Sequence, residues 1–254
     1  MSLTDDLSDQ FFADLLDLCG RLQCDPLDLL GVMMAESGVK AAARNLTSNA
    51  SGLIQFLPST LAHLGWTGTP EAFRKLNADQ QLRYVEAYFQ PYVHFNLNSA
   101  ARVYQVVFLP SSLPLGSSFN TVIAKKGGLN SGVYDRNRGL DVNYDGAITV
   151  GELQQAIERH YNAPRWQEIS QRLDGAGGGQ SDNSGGDAAI DLRTQDGVFD
   201  ALDALGFDRS HYSYIAAVRA FQRRSGLSAD GVVGPRTRNA LTTALEDNGI
   251  AFTL

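Results

Sequence analysis

Asp25-Pro26-Leu27-Asp28-Leu29-Leu30-Gly31-Val32-Met33-Met34-Ala35-Glu36-Ser37-Gly38 is the stretch on which the fold turns. Asp25 before Pro26 reads as an N-cap followed by proline at the first helical position. From Leu27 to Ala35 the helix is almost entirely apolar, so it belongs in the interior. Gly38 can end it in the left-handed conformation. Working outward, residues 7–22 place Phe11, Phe12, Leu15, Leu16 and Cys19 at helical spacing. Helical patterns return at 58–64, 71–76, 78–89 and 150–161. Residues 100–109 form an apolar run whose spacing does not decide its type. Residues 110–130, rich in Ser, Gly and Pro, are left unassigned; a lid, a subsite wall and an inert insertion all stay open. Strand alternation is absent, and the expected class is mainly α.

The 254 residues are 43% hydrophobic and 19% charged, enough for one large domain or two smaller ones, each with its own core. A net charge of -7 argues against a nucleic-acid partner, which asks for a basic footprint, and gives no general attraction to anionic membranes. No apolar run reaches the ~20 residues that a membrane span needs, so membrane insertion is not expected. Cys19 and Cys24 do not fit a CxxC pair; two small apolar residues are the favoured reading, with a local disulfide the lesser one. Between 174 and 187 the chain reads Asp-Gly-Ala-Gly-Gly-Gly-Gln-Ser-Asp-Asn-Ser-Gly-Gly-Asp, by composition a flexible linker. The expected organisation is therefore residues 1–173, linker 174–187, and a small domain 188–254.

Glu36 closes the apolar helix, where lost hydration should raise its pKa and keep it protonated near neutrality, as a general acid must be. Alone, that signal also describes many solvated glutamates. It is followed, however, by Ser51-Gly52-Leu53-Ile54-Gln55-Phe56-Leu57-Pro58-Ser59-Thr60. With Met34-Ala35-Glu36-Ser37-Gly38 this resembles the soluble lytic transglycosylase and goose-type lysozyme family, glycoside hydrolase family 23. That family has a Glu-Ser pair ending a helix, then a Gly-Leu-Met-Gln-like turn and a Pro-Ser-Thr helix start; Ile54 stands in place of the usual methionine. The resemblance covers residues 27–109 and implies a lysozyme-like helical domain that cleaves the β-1,4 bond between N-acetylmuramic acid and N-acetylglucosamine. Glu36 would protonate the glycosidic oxygen, then act as base on the muramoyl 6-hydroxyl to give a 1,6-anhydro product. Ser37 would orient the carboxylate or the sugar, Gln55 would bond the substrate, and Gly52 would let the glycan approach closely. The family's Ala-Tyr-Asn-Ala-Gly motif is absent. Its nearest counterpart, Val103-Tyr104-Gln105-Val106-Val107, makes Tyr104 a candidate substrate contact or, equally, a core tyrosine. No second acid is tied to the motif by spacing, although ordinary glycosidases use two; a water-using lysozyme stays open.

Residues 141–152, Asp-Val-Asn-Tyr-Asp-Gly-Ala-Ile-Thr-Val-Gly-Glu, match the EF-hand loop at each diagnostic position. Asp141, Asn143 and Asp145 offer side-chain oxygens, Ala147 its carbonyl, Thr149 its oxygen directly or through water, and Glu152 two more. Gly146 allows the sharp turn. Residues 133–139 do not read as an incoming helix, so a single calcium loop with a structural role is expected, not a paired sensor.

Residues 216–241 contain a Phe221-Gln222 helix, a Gly226-Leu227 stop, an Asp230-Gly231-Val232-Val233-Gly234 turn and a Thr237-Arg238-Asn239-Ala240-Leu241 helix. This resembles the peptidoglycan-binding domain, a three-helix module in which Val218, Phe221 and Leu227 would pack against Val232, Val233, Leu241 and Leu245. Peptidoglycan strands are thus the expected partner of both halves. A non-catalytic wall-binding protein and a calcium-regulated interaction protein are the rival readings. The first residues lack the basic start and apolar run of a secretory leader. The expectation is a monomer made in the cytoplasm and delivered to the periplasm or wall by a phage or a secretion apparatus. In the latter case a cognate immunity protein is expected.

Overall fold

The structure, a computed structural model, describes residues 2–161, 163–177, 189–207, 214–227, 231 and 233–254. The chain divides into two compact units, Met1–Gly179 and Gln180–Leu254. Residues 178–187 of the glycine-rich stretch, and Ser228, Ala229, Asp230 and Val232 of the C-terminal turn, lie outside the described residues.

The first unit is built on helix α2 (Pro26–Ser37), whose start is capped by Asp25 and whose end is the left-handed Gly38. Leu29, Leu30, Val32 and Met33 are fully buried. Helix α1 (Asp9–Leu22), capped by Ser8, packs beside it. After it come short helices α3 (Pro58–His63) and α4 (Pro70–Phe73), and α5 (Ala78–Phe89), which opens with an Asn77/Gln80 capping box. A 3-10 segment Gln90–Phe95 leads to α6 (Ala100–Phe108), which resolves the ambiguous apolar run as a helix. It does so because its buried face meets α2 as well as α8 (Val150–Glu158). Gly31 lets α8 come close: a Cβ there would sit 2.8 Å from Ile157 and 3.3 Å from the Tyr161 hydroxyl.

The unassigned segment contains regular structure. Residues Pro110–Leu115 form a 3-10 turn held by buried Arg102, which donates to the Leu113 and Gly116 carbonyls at 3.1 Å each and to Phe95 O at 2.8 Å. Burial lowers the Arg102 pKa. Strand β1 (Val122–Lys125) follows, then α7 (Ser131–Arg136) and a 3-10 turn Arg138–Leu140. Strand β2 (Ala147–Thr149) pairs antiparallel with β1. The class is mainly α as expected, and these strands of three and four residues are too short to show alternation in the sequence. Helix α9 (Pro164–Gly177) runs through residues 174–177, which the composition had assigned to the linker. Leu173 is buried in the unit and ties the helix to it. Cys19 and Cys24 are unbridged thiols; a hydrogen bond between them, then burial, raises the Cys19 pKa.

The second unit holds α10 (Gln195–Ala204), α11 (Tyr214–Arg224) and α12 (Pro235–Asp247). Two-residue strands β3 (Ile190–Asp191) and β4 (Phe252–Thr253) pair in parallel. Its core contains Leu192, Val198, Leu202, Val218, Phe221, Leu241 and Leu245, with Val233 packed at the edge. Leu227 is only half-buried.

Candidate functional site

A cleft of about 280 Å³ opens in the first unit. Glu36 enters it from the end of α2, and Ile54, Gln55, Phe56 and Leu57 come from the turn before α3. Tyr88 is supplied by α5, Tyr104 and Phe108 by α6, and Asn137 by the segment ahead of the acidic loop. Glu36, Gln55 and Tyr104, three of the four residues expected at the catalytic site, therefore meet in one place.

Glu36 is partly exposed at the cleft wall. Burial pushes its pKa up to about 7, and a hydrogen bond from the Tyr104 side chain opposes that rise. The phenol of Tyr104 is itself held well above its ordinary pKa by burial, the Glu36 charge and their hydrogen bond. Tyr104 is 8% exposed: its ring lies in the core and its hydroxyl bonds Glu36, as in the reading of a core tyrosine with a satisfied hydroxyl. Tyr88 is pushed to about 12, first by burial, then by Tyr92 and Glu36; its hydroxyl donates to Val106 O at 3.1 Å. Glu36 is the one carboxylate lining this cleft among the described residues.

Ser37 is placed differently from its expected role. Its hydroxyl lies 3.0 Å from Met33 O and 2.8 Å from Leu53 O, and it accepts the Lys40 N–H at 3.2 Å. It brackets α2 to the glycine turn instead of facing the cleft. In that turn Ser51 and Phe56 exchange both backbone hydrogen bonds at 2.9 Å. Gln55 sits at φ +53° and donates to Gly52 O at 3.0 Å, which braces the turn from within.

Gly52 was expected to admit the glycan. The group that approaches it is instead internal: a Cβ there would lie 2.3 Å from Gln81 Oε1 and 2.9 Å from Phe73, at φ +80°. Gln81, fully buried, accepts Leu53 N–H at 3.0 Å and donates to Ala41 O at 2.8 Å. It is the hub of this turn, and the sequence reading passed over it, since a glutamine in a helical pattern carries no signal of burial. Tyr88 had a signal that could have found it: Tyr84, Tyr88 and Tyr92 recur every fourth residue. Asn137 had none.

The acidic loop at 141–152 takes an ordered turn. Asp141 accepts the N–H groups of Asp145 (3.1 Å) and Gly146 (3.0 Å) and the Tyr134 hydroxyl (2.8 Å). Asn143 accepts Asp145 N–H at 2.9 Å, and Asp145 accepts Ala147 N–H at 2.9 Å. Tyr144 and Gly146 are left-handed. Glu152 caps α8 by accepting Thr149 N–H at 2.8 Å, and also accepts Val142 N–H at 3.0 Å. The incoming side is a helix of six residues broken at Asn137. Among the described residues no three His, Cys, Asp or Glu side chains converge as a metal-holding group. The donor set of the loop is oxygen only, the chemistry a hard cation takes.

In the second unit, Gln222 is buried, donates to the Thr237 hydroxyl at 3.1 Å and accepts Gly231 N–H at 2.8 Å. One amide thus ties α11 to the turn and to the start of α12, which gives the Phe-Gln and Thr positions of the motif a structural purpose. Residues 212–241 match the family model described as a putative peptidoglycan binding domain. The chain carries a peptidoglycan-binding domain. No curated protein and no solved structure matches the chain. The match supports peptidoglycan as a binding partner, and the core residues named above hold the module together.

Proposed function

We propose that the first unit cleaves peptidoglycan glycan strands, with Glu36 as the acid/base, while the second keeps it on the wall. The observation that carries this reading is Glu36 itself: a carboxyl at a cleft wall, raised to about 7 and hydrogen-bonded by Tyr104. At neutral pH such a group holds a proton in a large fraction of molecules and returns readily as a base, the balance that acid/base catalysis uses. The proton goes to the glycosidic oxygen as the bond to the leaving sugar breaks. Tyr104 then steadies the carboxylate left behind.

A lytic transglycosylase is favoured over a lysozyme. Hydrolysis by the common two-carboxylate schemes needs a second acid about 5–9.5 Å away across the bond, and no other carboxylate lines this cleft among the described residues. Internal attack by the muramoyl 6-hydroxyl needs only Glu36, now as base, and consumes no water. We further propose that Asp141, Asn143, Asp145, Ala147, Thr149 and Glu152 hold calcium, which would supply charge compensation and rigidity to the loop; no catalytic step passes through it.

The test is digestion of purified peptidoglycan followed by mass spectrometry of the released muropeptides. Products lighter by one water, with 1,6-anhydro ends, are expected, and Glu36→Gln should lower the rate by about 10²–10⁴-fold. Reducing ends would make the enzyme a lysozyme. Equal turnover by wild type and Glu36→Gln would remove Glu36 from the chemistry. Wall binding without any product would leave a binding protein.

A further inference from the structure

Val39 is a β-branched residue at φ +56° and is fully buried. A branched Cβ crowds the backbone in that region, so such residues rarely adopt it. Val39 follows Gly38 at φ +65°, and the chain leaves the Glu36 helix through two consecutive left-handed residues. Their N–H groups close α2, Gly38 onto Met34 O at 3.0 Å and Val39 onto Met33 O at 3.2 Å. Their carbonyls point away from that helix, and one distant side chain takes both. Arg165, near the start of α9, donates from Nε to Gly38 O at 2.6 Å and from Nη2 to Val39 O at 3.1 Å. The same guanidinium pairs with Asp6 through Nη1 at 2.9 Å and Nη2 at 2.8 Å, and it reaches the Leu3 carbonyl. Its side chain is 13% exposed. Helix α2 has no basic residue in its own last turn, so Arg165 also brings the cation that a helix C-terminus favours.

We propose that Arg165 is a positioning residue for Glu36: it clamps the strained Gly38–Val39 turn and so fixes the end of α2 from which Glu36 faces the cleft. The inference rests on the reading of Glu36 as the general acid. Two anchors follow the carboxylate directly along the chain. Ser37, the next residue, is tied to Leu53 O, and Arg165 holds the turn that begins two residues after Glu36. Without the guanidinium, Val39 loses what keeps it left-handed, and relaxing it would re-aim the last turn of the helix. A displacement of about 1 Å in a catalytic group costs about 10²-fold in rate.

The experiment compares the full chain as wild type, Arg165→Met, Arg165→Lys and Arg165→Met with Val39→Gly. It reads kcat and KM on purified wall, and amide hydrogen exchange at residues 38 and 39. Arg165→Met should lower kcat by about 10²-fold with KM within about twofold, and exchange at 38 and 39 should rise. Arg165→Lys should recover little, since an ammonium cannot serve two carbonyls and a carboxylate as a planar fork does. Adding Val39→Gly should restore most of kcat, because glycine accepts the left-handed turn without strain. That rescue is what a merely structural role would not give. A lowered unfolding midpoint with kcat unchanged would overturn the inference. So would unchanged exchange at 38 and 39. If Arg165→Met does not fold, Asp6→Asn, at a half-exposed carboxylate, should shift kcat and exchange in the same direction by a smaller factor; no shift in either would overturn it. Should the wild type show no turnover at all, the general-acid reading falls, and exchange at 38 and 39 alone decides whether Arg165 holds the turn.

Discussion

Glu36 makes the sharpest demands at the scale of single residues. Its folded pKa of about 7 lies above its ordinary value of 4.5 because burial penalises the charge. If the protonated form does the work, activity is full below about pH 6 and falls as pH rises through 7, with one proton lost. A pH–rate profile in kcat on soluble glycan checks this; a flat profile from 5 to 9 would rule Glu36 out as the acid. Stability follows the same sign. Below 4.5 both the folded and the unfolded chain hold the proton, and there is no penalty. Between 4.5 and 7 the unfolded chain gives it up first, and above 7 the fold carries the full cost of a desolvated carboxylate. At about 1.4 kcal/mol per tenfold in ionisation, that cost is on the order of 3 kcal/mol, less whatever cleft water returns. Glu36→Gln should therefore be more stable than wild type at pH 8 and no more stable at pH 4, by denaturant midpoint at each pH. Much of this residue was legible in the sequence, because an acid ending an apolar helix has its environment written beside it. Ser37 was not: its hydroxyl bonds to Leu53 O, and a partner sixteen residues away is fixed by the fold of the turn, not by the Glu-Ser pair.

Elements divide along the same line. The helices were legible because their caps and periodicity are local: Ser8, Asp25 and Asn77 each accept an N–H from the first turn they open. Strands β1 and β2 were not, because their pairing joins Val122 to Thr149, across a segment with no alternation of its own. The glycine turn 51–56 shows how an element depends on one distant group. Gly52→Ala would force a Cβ against Gln81 Oε1 at a left-handed φ, combining strain with disruption of the Gln81–Leu53 hydrogen bond, a loss of about 2–4 kcal/mol. Equilibrium unfolding should show a lower midpoint with m unchanged; a loss below about 0.5 kcal/mol would mean the turn adapts. The acidic loop makes the complementary prediction. Calcium at about a hundredfold its Kd should stabilise the chain by about 2.7 kcal/mol, read as a raised unfolding midpoint, and Glu152→Gln should abolish most of that gain. No shift with calcium in the wild type would remove calcium from this loop.

At the scale of the whole molecule, the question is what a wall-binding unit contributes to a cleft in a separate unit. Each has its own apolar core, α2 at the centre of one and Phe221 with Leu241 in the other, so removing residues 180–254 should leave the first unit folded. If the first unit acts on glycan as proposed, the covalent link means that engagement of the wall by the second would turn the encounter of Glu36 with a glycan strand into an intramolecular event. That advantage exists only where one polymer serves both units at once. On intact insoluble wall, truncation should raise the half-saturating amount of substrate by at least about 10-fold, within the roughly 10²–10⁴-fold range that such linkage can supply. On soluble glycan fragments too short to bridge both units, kcat and KM should stay within about twofold. Equal losses on both substrates would mean that the second unit supports the cleft itself, and no loss on either would mean that wall binding and cleavage are energetically independent. The pattern expected, a loss confined to the insoluble polymer, would tie the matched domain at 212–241 to the proposed chemistry of Glu36 through a shared substrate.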